Sequence, residues 1–340
     1  MRRLSVLILS LGALMWMARP VPTPADERLF ANGHLRAVPV PADNPIDSAK
    51  VELGKQLYFD KRLSKDGTVS CATCHRPDHG WADTSEVSLG IGNQKGGRNA
   101  PTVLNAAYMP LQFWDGRAKS LEDQALGPIQ NPVEMGMTMV EALGRIKAIP
   151  GYVEQFRRIF GAEPTEEGVA KAIAAFERTV ISTNSPYDRY LQGDRTAMSP
   201  AAVRGMNLFN GKAHCTPCHS GPTFSDGAFH NLGAGYSNGR YADKGRFDVT
   251  KDPKDLGAFK TPGLRGVAEN GPYLHDGSEK TLADVIEFYD RGGVSNPNLD
   301  PLIVPLHLTS REKADLVAFL EALTGEALKI TEPALPPSNP

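Results

Sequence analysis

Every cysteine of the 340-residue chain lies in one of two copies of the pattern Cys-x-x-Cys-His. The copies span residues 71–75 and 215–219. This pattern attaches c-type haem, because its thiols can form thioethers with the vinyl groups and its histidine can then bind the iron. The sequence therefore predicts two covalently bound haem c groups. The predicted attachment and ligand residues are Cys71, Cys74, His75, Cys215, Cys218 and His219.

Zinc is the alternative occupant of these motifs, since four thiols and two histidines can form tetrahedral sites. Zinc half-sites usually pair at short range in the sequence. His75 and His219, however, are 144 positions apart. The spacing therefore favours haem.

The N-terminus has the pattern of an export signal. Arg2 and Arg3 precede an apolar run at 4–17, and small residues and prolines follow up to residue 25. The run is short for a membrane span, although an uncleaved anchor stays open because no clear cleavage site is present. We expect a signal peptide at 1–25, a periplasmic protein and no spanning segment after cleavage.

The remaining chain is long enough for two domains, and its net charge of −2, without a long basic run, argues against a nucleic-acid partner. Gly-x-x-Leu-aromatic occurs before each haem motif, at 54–58 and 205–209. Apolar residues at helical spacing follow each motif, at 169–180 and 316–323. Two helix starts are also indicated, by Ser199 before a proline and by a Thr309–Glu312 capping box.

These patterns predict a mainly α fold with two cytochrome-c-like haem domains and long irregular connections. The boundaries are 26–190 for the N-terminal haem domain and 191–340 for the C-terminal one, joined near 185–199.

Five further segments carry a resemblance to a known family. They are Arg-Asn-Ala-Pro-Thr at 98–102, Phe-Trp-Asp-Gly-Arg at 113–117, the stretch 123–135, Phe-Lys-Thr-Pro at 259–262 and Pro-Tyr-Leu-His-Asp-Gly at 272–277. Together with both haem motifs in order and spacing, they resemble the bacterial di-haem cytochrome c peroxidase and MauG family. The resemblance covers nearly all of the mature chain.

The resemblance implies that the His75 haem reacts with hydrogen peroxide. It makes Glu134 the distal acid–base carboxylate, which can relay a proton between the two peroxide oxygens. Gln124 matches a distal hydrogen-bonding residue and Pro128 a residue that shapes the pocket. Trp114 matches the tryptophan between the two haems, where an oxidisable indole can mediate hole transfer. Taken alone, Glu134 could be a solvated loop charge and Trp114 a core residue.

The resemblance also implies a calcium ion between the two domains. Asn99 would contribute its side-chain oxygen, and Asn270 and Pro272 their carbonyl oxygens. Oxygen ligands of this kind suit calcium.

Two positions depart from the peroxidase pattern. Peroxidases place a histidine in the loop after the first haem, where this chain has Ile91, so the first haem is expected to be five-coordinate or to bind only water. His79 is the alternative ligand, although it follows His75 too closely to reach the opposite face easily. The second departure is Tyr289, which stands where peroxidases supply a methionine and the MauG branch has tyrosine. A tyrosine ligand would stabilise ferric iron, whereas the alternative is a tyrosine that only packs on a helix.

The favoured reading is an exported enzyme that uses peroxide to form a bis-Fe(IV)-like state and then oxidises a partner protein. The alternatives are a cytochrome c peroxidase supplied with electrons by a small cytochrome and a non-enzymatic electron carrier. MauG itself uses a surface tryptophan two residues before its second haem motif, and this chain has Ala213 there. The resemblance therefore does not extend to the methylamine dehydrogenase substrate.

Overall fold

The computed structural model describes residues 35, 37–326 and 330–338, so the predicted signal peptide at 1–25 lies outside the described residues. Helices and irregular segments dominate, as expected. The helices are α1 (Ser48–Phe59), α2 (Cys71–Cys74), α3 (Leu121–Gln130), α4 (Met139–Lys147), α5 (Pro150–Phe160), α6 (Glu166–Glu177), α7 (Pro186–Leu191), α8 (Pro200–Asn210), α9 (Phe247–Thr250), α10 (Leu282–Asp290) and α11 (Ser310–Glu321). Within the described ranges, none is long and apolar enough to cross a membrane.

Among the described residues, the named strands are four two-residue segments in two antiparallel pairs. Strand β1 (Phe229–His230) pairs with β4 (Phe259–Lys260), and β2 (Tyr236–Ser237) pairs with β3 (Arg240–Tyr241). Both predicted helix starts are confirmed. The Ser199 side chain accepts from the Ala202 N–H, and Thr309 and Glu312 form a reciprocal capping box at the start of α11.

The first hydrophobic core forms where α1 crosses α6. Val169, Ile173 and Phe176 of α6 are fully buried in it, as their spacing predicts. Gly54 permits the crossing, because a β-carbon there would lie 1.8 Å from the carbonyl oxygen of Ala172. A glycine is therefore required for the two backbones to touch.

The second core repeats this arrangement with α8 crossing α11. A β-carbon on Gly205 would lie 1.9 Å from the carbonyl oxygen of Asp315. The glycine of the repeated Gly-x-x-Leu-aromatic pattern thus has one physical role in both halves. It allows the helix before each haem motif to pack closely on the last helix of its unit.

The chain passes between the cores before residue 190. Helix α7 packs on the second core, where the Tyr187 ring contacts Phe224 and Phe319 and buried Asp188 pairs with Arg265 at 2.9 Å. The C-terminal residues 330–338 return to the first core, where Arg62 donates to the carbonyl of Pro336. Part of the segment expected to link the domains is therefore a packed helix.

A second repeat relates residues 98–130 to residues 259–291, at a constant offset of 161 positions. Phe113 and Leu274 both have left-handed backbone conformations, with φ of 65° and 67°. Helices α3 and α10 begin at equivalent positions after Ser120 and Thr281, each of which caps its helix. The repeat therefore extends well beyond the haem motifs.

The two repeated segments bind each other reciprocally. The Asn99 N–H donates to the His275 carbonyl at 2.7 Å, and the Lys260 N–H donates to the Trp114 carbonyl at 2.8 Å. Asn99 is equivalent to Lys260, and Trp114 to His275, at the offset of 161. Such exchange of equivalent contacts is typical of an approximate twofold interface. The contact between the halves is thus built from the segments that carry the family motifs.

Candidate haem sites

The second CxxCH motif lies beside a large cavity, here called the second haem cavity, which residues of both halves line. Cys215, Cys218, His219 and Tyr289 all line this cavity, and most of the other lining side chains are apolar. The His219 ring donates from Nδ1 to the Phe224 carbonyl at 2.9 Å, which leaves the Nε2 lone pair available to a metal. Burial lowers the pKa of His219, so the imidazole stays neutral and able to ligate.

The thiols and the phenol of this cavity suit haem attachment. All four cysteines of the chain are unpaired, and burial raises the pKa of Cys215 to about 12, so it is no reactive thiolate. The Tyr289 pKa is also raised, mainly by burial. Only a cation facing the phenol would ionise it, and ferric iron is such a cation. The residues therefore fit a haem between His219 and Tyr289.

The first CxxCH motif forms the short helix α2 against the first core. The Tyr58 hydroxyl donates to the His75 carbonyl at 3.1 Å and fixes the end of the motif. Burial lowers the pKa of His75, an effect partly offset by the carbonyl group of Pro101. Pro262 acts in the same way on His219, at the offset of 161. The two histidines thus share this proline carbonyl, but they differ at Nδ1, which donates to Phe224 in His219 and has no hydrogen-bond partner among the described residues in His75.

Glu134 lies near this first motif. Its carboxylate adds to the raised pKa values of Cys71 and Cys74, although burial is the largest cause for both thiols. The Asn131 amide donates to Glu134 Oε1 at 2.6 Å. Burial raises the pKa of Glu134, opposed by Arg117 and by the Asn131 hydrogen bond. Glu134 is therefore a largely desolvated carboxyl rather than a solvated loop charge.

The loop containing Ile91 is fixed against Glu134. The Ile91 N–H donates to the Glu134 carbonyl at 2.9 Å, and a β-carbon on Gly90 would lie 1.9 Å from the Val133 carbonyl oxygen. The Ile91 side chain packs on the first core. A hydrocarbon side chain therefore occupies this loop position, which offers no nitrogen, oxygen or sulfur ligand.

His79 is held elsewhere. Its Nε2 lies 2.7 Å from the Gly271 carbonyl oxygen, and a β-carbon on the adjacent Gly80 would lie 2.9 Å from the carbonyl group of Glu269. These contacts join the two halves of the molecule. For His79 to bind the first iron, this hydrogen bond would have to break.

Helix α3 carries the other predicted distal residues. Gln124, Pro128 and Asn131 follow at steps of four and three, so they share one helical face. A β-carbon on Gly127 would lie 3.1 Å from the Phe113 ring, so this ring lies close to α3. The structure thus groups Gln124 and Pro128 with the partner of Glu134.

In the repeat, Pro128 occupies the position equivalent to Tyr289. It occupies the eighth position of α3, and Tyr289 occupies the eighth position of α10, at the offset of 161. One half thus has a phenol at this register and the other has a side chain that cannot bind iron. Sequence reasoning treated Pro128 and Tyr289 separately and missed their equivalence, although the offset could have shown it.

Trp114 lies at the contact between the halves. Its Nε1–H donates to the Asn99 carbonyl at 2.9 Å, and its own carbonyl accepts from Lys260. The tryptophan also lines the cavity beside the second haem motif. Three residues along the chain, Arg117 influences the Glu134 carboxyl. Trp114 therefore belongs to a segment that reaches both sites.

The three predicted calcium residues line this same region. Asn99 is buried, and Asn270 and Pro272 line the second haem cavity together with it. The Asn99 amide nitrogen donates to the Ser85 carbonyl at 3.2 Å. This hydrogen bond uses the nitrogen, so the amide oxygen is still able to bind a cation. The chemistry of the three oxygen donors suits a hard cation.

Zinc fits these residues poorly. In the part of the chain that the structure describes, the one metal-competent grouping of His, Cys, Asp and Glu is Cys218, Asp226 and His230. It contains a single thiol. Moreover, His230 contacts Asp226 through Nε2 at 3.0 Å and Asp300 through Nδ1 at 2.6 Å, so the carboxylates lie on opposite sides of the ring. His230 can therefore share an ion only with Cys218 and Asp226, whose ligand atoms lie within 4.8 Å of its ring nitrogen, and this set is one ligand short of the four that a structural zinc site uses.

Two further residues of the second haem cavity lie in segments that carry the family resemblance, but sequence reasoning assigned neither of them a role. His275, the counterpart of Trp114, is buried and stacks on Phe259 with ring centroids 3.6 Å apart. Lys260, the counterpart of Asn99, lines the same cavity. The 161-residue offset is again the signal that could have identified them.

A tandem fold with an axial histidine and paired thiols in each half defines a di-haem cytochrome-type protein. The model of the family described as di-haem cytochrome c peroxidase matches residues 48–196. The chain is 45% identical over 304 residues to the methylamine utilization protein MauG of Methylorubrum extorquens, covering 88% of this chain and 85% of that protein. It is 41% identical over 333 residues to the cytochrome-c peroxidase IdrP1 of Pseudomonas sp. strain SCT, with coverages of 89% and 88%.

Solved structures agree with these relationships. A MauG-like protein associated with microbial copper homeostasis superposes with a TM-score of 0.78 at 36% identity, covering 86% of this chain and 94% of the other. The di-haem peroxidase BthA of Burkholderia thailandensis gives a TM-score of 0.71 at 25% identity, with coverages of 83% and 87%. The chain belongs to the di-haem cytochrome c peroxidase and MauG family. It is therefore an oxidoreductase with two haem cofactors.

Proposed function

We propose that this protein is an exported, MauG-like enzyme that uses hydrogen peroxide to oxidise a residue of a partner protein. The observation that carries the proposal is the asymmetry between equivalent positions, Pro128 in α3 and Tyr289 in α10. One site then keeps its distal side open for peroxide, whereas the other is closed. Ile91 supports the same assignment, because its side chain offers no ligand to the first site.

The bound haems supply the iron chemistry that cleaves the peroxide O–O bond and stores the oxidising equivalents. Glu134 would take a proton from one peroxide oxygen and return it to the other, the leaving oxygen. Asn131 orients this carboxyl through its 2.6 Å hydrogen bond. Gln124 and Pro128 shape the space above the first site, and Trp114 provides the oxidisable indole between the sites.

The structural parts of the proposal follow from the same residues. Cys71, Cys74, Cys215 and Cys218 attach the haems covalently, and Asn99, Asn270 and Pro272 bind calcium between the halves. The leader at 1–25 directs the protein to the periplasm. The two haem units correspond to 26–190 and 191–340, with α7 packed on the second.

Mössbauer and electronic spectra test this function. Adding peroxide to the diferric protein should change the signals of both irons, and turnover with a reduced small cytochrome should be slow. A methionine-type spectrum for the second haem, or a diferric protein inert to peroxide, would contradict the proposal.

The second candidate is a cytochrome c peroxidase that removes peroxide with electrons from a small cytochrome. It is favoured by the relatives named as such peroxidases, at identities close to that of MauG. Rapid turnover with a reduced cytochrome would select it.

A further inference from the structure

Lys260 places an ammonium group at the second haem cavity. It is on strand β4, and its backbone is fixed by the 2.8 Å hydrogen bond from its N–H to the Trp114 carbonyl. Its side chain lines the cavity together with His219 and Tyr289. Burial lowers the pKa of this amine to about 8.

The other cationic groups of this cavity have acidic partners. Arg265 pairs with Asp188, and His230 lies between Asp226 and Asp300. Lys260 forms no ion pair with any residue in the described ranges. A desolvated ammonium without an anion is unfavourable, so the cavity is built to receive a negative charge.

Haem c carries two propionate carboxylates, and these are the anions that the cofactor itself brings into the cavity. We infer that the Lys260 ammonium binds a propionate of the haem held by His219. The repeat makes this feature specific to one site, because the counterpart of Lys260 in the first half is the uncharged Asn99. The inference depends on haem binding alone and not on the proposed reaction with peroxide.

The consequence concerns the reduction potential of the second haem. A cation near the propionate offsets negative charge near the iron and favours the ferrous state. Lys260→Met should therefore lower the midpoint potential of the second haem more than that of the first. Lys260→Arg should retain most of the original potential, because the charge is kept.

Redox titration of the holoprotein, with the two haems followed separately by EPR, tests this inference. Lys280→Met is the matched control, because it removes an exposed lysine of the same half that pairs with Glu86. The control should leave both potentials unchanged. Haem content by the pyridine haemochrome assay accompanies each titration, and selective loss of the second haem in Lys260→Met would also support the inference.

Lys260→Gln provides a polar variant should the methionine variant fail to fold, and it should show the same downward shift. Unshifted potentials in a variant with two haems would overturn the inference. So would a shift confined to the first haem, which would assign Lys260 to the other cofactor. Neither result would affect the peroxide reaction on which the proposed function depends.

Discussion

The Glu134 carboxyl combines burial with a single short hydrogen bond from Asn131. As a proton relay it must be ionised before it can accept a proton. Because burial raises its pKa above the ordinary 4.5, the ionised fraction grows as the pH rises through that raised value. The chemistry of the first site should therefore have an acid limb set by this one residue.

We expect Glu134→Gln to lower the rate constant of the reaction between diferric protein and peroxide about 10²–10⁴-fold. The acid limb should vanish in this variant, because the amide does not titrate. Stopped-flow measurements across pH test both effects. The control is Glu141→Gln, which changes an exposed carboxyl at the start of α4. A wild-type rate in Glu134→Gln would exclude the proposed relay.

Tyr289 is the residue that distinguishes the second site from the first. Tyr289→Met should raise the midpoint potential of the second haem, since a thioether stabilises ferrous iron where a phenolate stabilises ferric iron. Spectroelectrochemistry measures this change. Tyr187→Phe is the control, because it alters a tyrosine that packs on the second core, in an edge-to-face contact with Phe224, without lining the cavity. Equal potentials in Tyr289→Met and wild type would show that the phenol is not a ligand.

The crossings of α1 with α6 and of α8 with α11 frame the two haem motifs. Each crossing depends on a glycine whose missing β-carbon is replaced by a carbonyl of the facing helix. Backbone groups cannot move aside as a flexible side chain can. A methyl group at either position would therefore separate the helices.

Gly54→Ala and Gly205→Ala should each destabilise the protein by about 1–3 kcal/mol or more through overpacking. Gly144→Ala is the matched control, since Gly144 is also inside a helix but has open space around its missing β-carbon. It should stabilise the protein by about 0.5–1 kcal/mol, because alanine favours helix. Thermal unfolding of the holoproteins compares all three. Equal effects at the three positions would contradict the close-approach argument.

An ion-pair network joins the two halves of the molecule. Arg98 pairs with Asp115 of its own half at 2.6 Å and with Asp243 of the other half at 2.6 Å. Burial would raise the pKa of Asp243, but hydrogen bonds from Arg98 and the Gly245 N–H outweigh it and hold the pKa below 3.8. The contribution of Asp243 to stability is thus complete at neutral pH and is lost as the pH falls below 3.8 through that lowered pKa.

Arg98→Met should cost about 3 kcal/mol of unfolding free energy, because it leaves the largely buried Asp243 without a cationic partner and Asp115 with Arg117 alone. Arg76→Met is the control. It breaks the exposed Arg76–Asp78 pair and should cost about 0–1 kcal/mol. Denaturant unfolding measures both. If the two variants are equally stable, the network does not hold the halves together.

Local pattern in the chain was sufficient for the haem motifs, the mainly helical fold and the capped helix starts, because each depends on neighbouring residues. The resemblance to the family also followed from short motifs, and the sequence comparisons confirm it. The glycines of the repeated pattern were visible in the sequence. The reason why glycine is required there was not visible, since the facing carbonyls of Ala172 and Asp315 are more than a hundred positions away in the sequence.

Only the tertiary structure decided how the halves meet. The haem motifs alone predict two haems. That the two haems have different surroundings was predicted only from the resemblance to the family. Helices α3 and α10 begin at equivalent positions and so place Pro128 and Tyr289 at one register. The reciprocal Asn99–His275 and Lys260–Trp114 hydrogen bonds bring the motif segments together. Contacts between positions so distant depend on packing and desolvation across the whole molecule. The pattern of neighbouring residues therefore cannot predict which buried charged group, such as the Lys260 ammonium, has no ion-pair partner among the described residues.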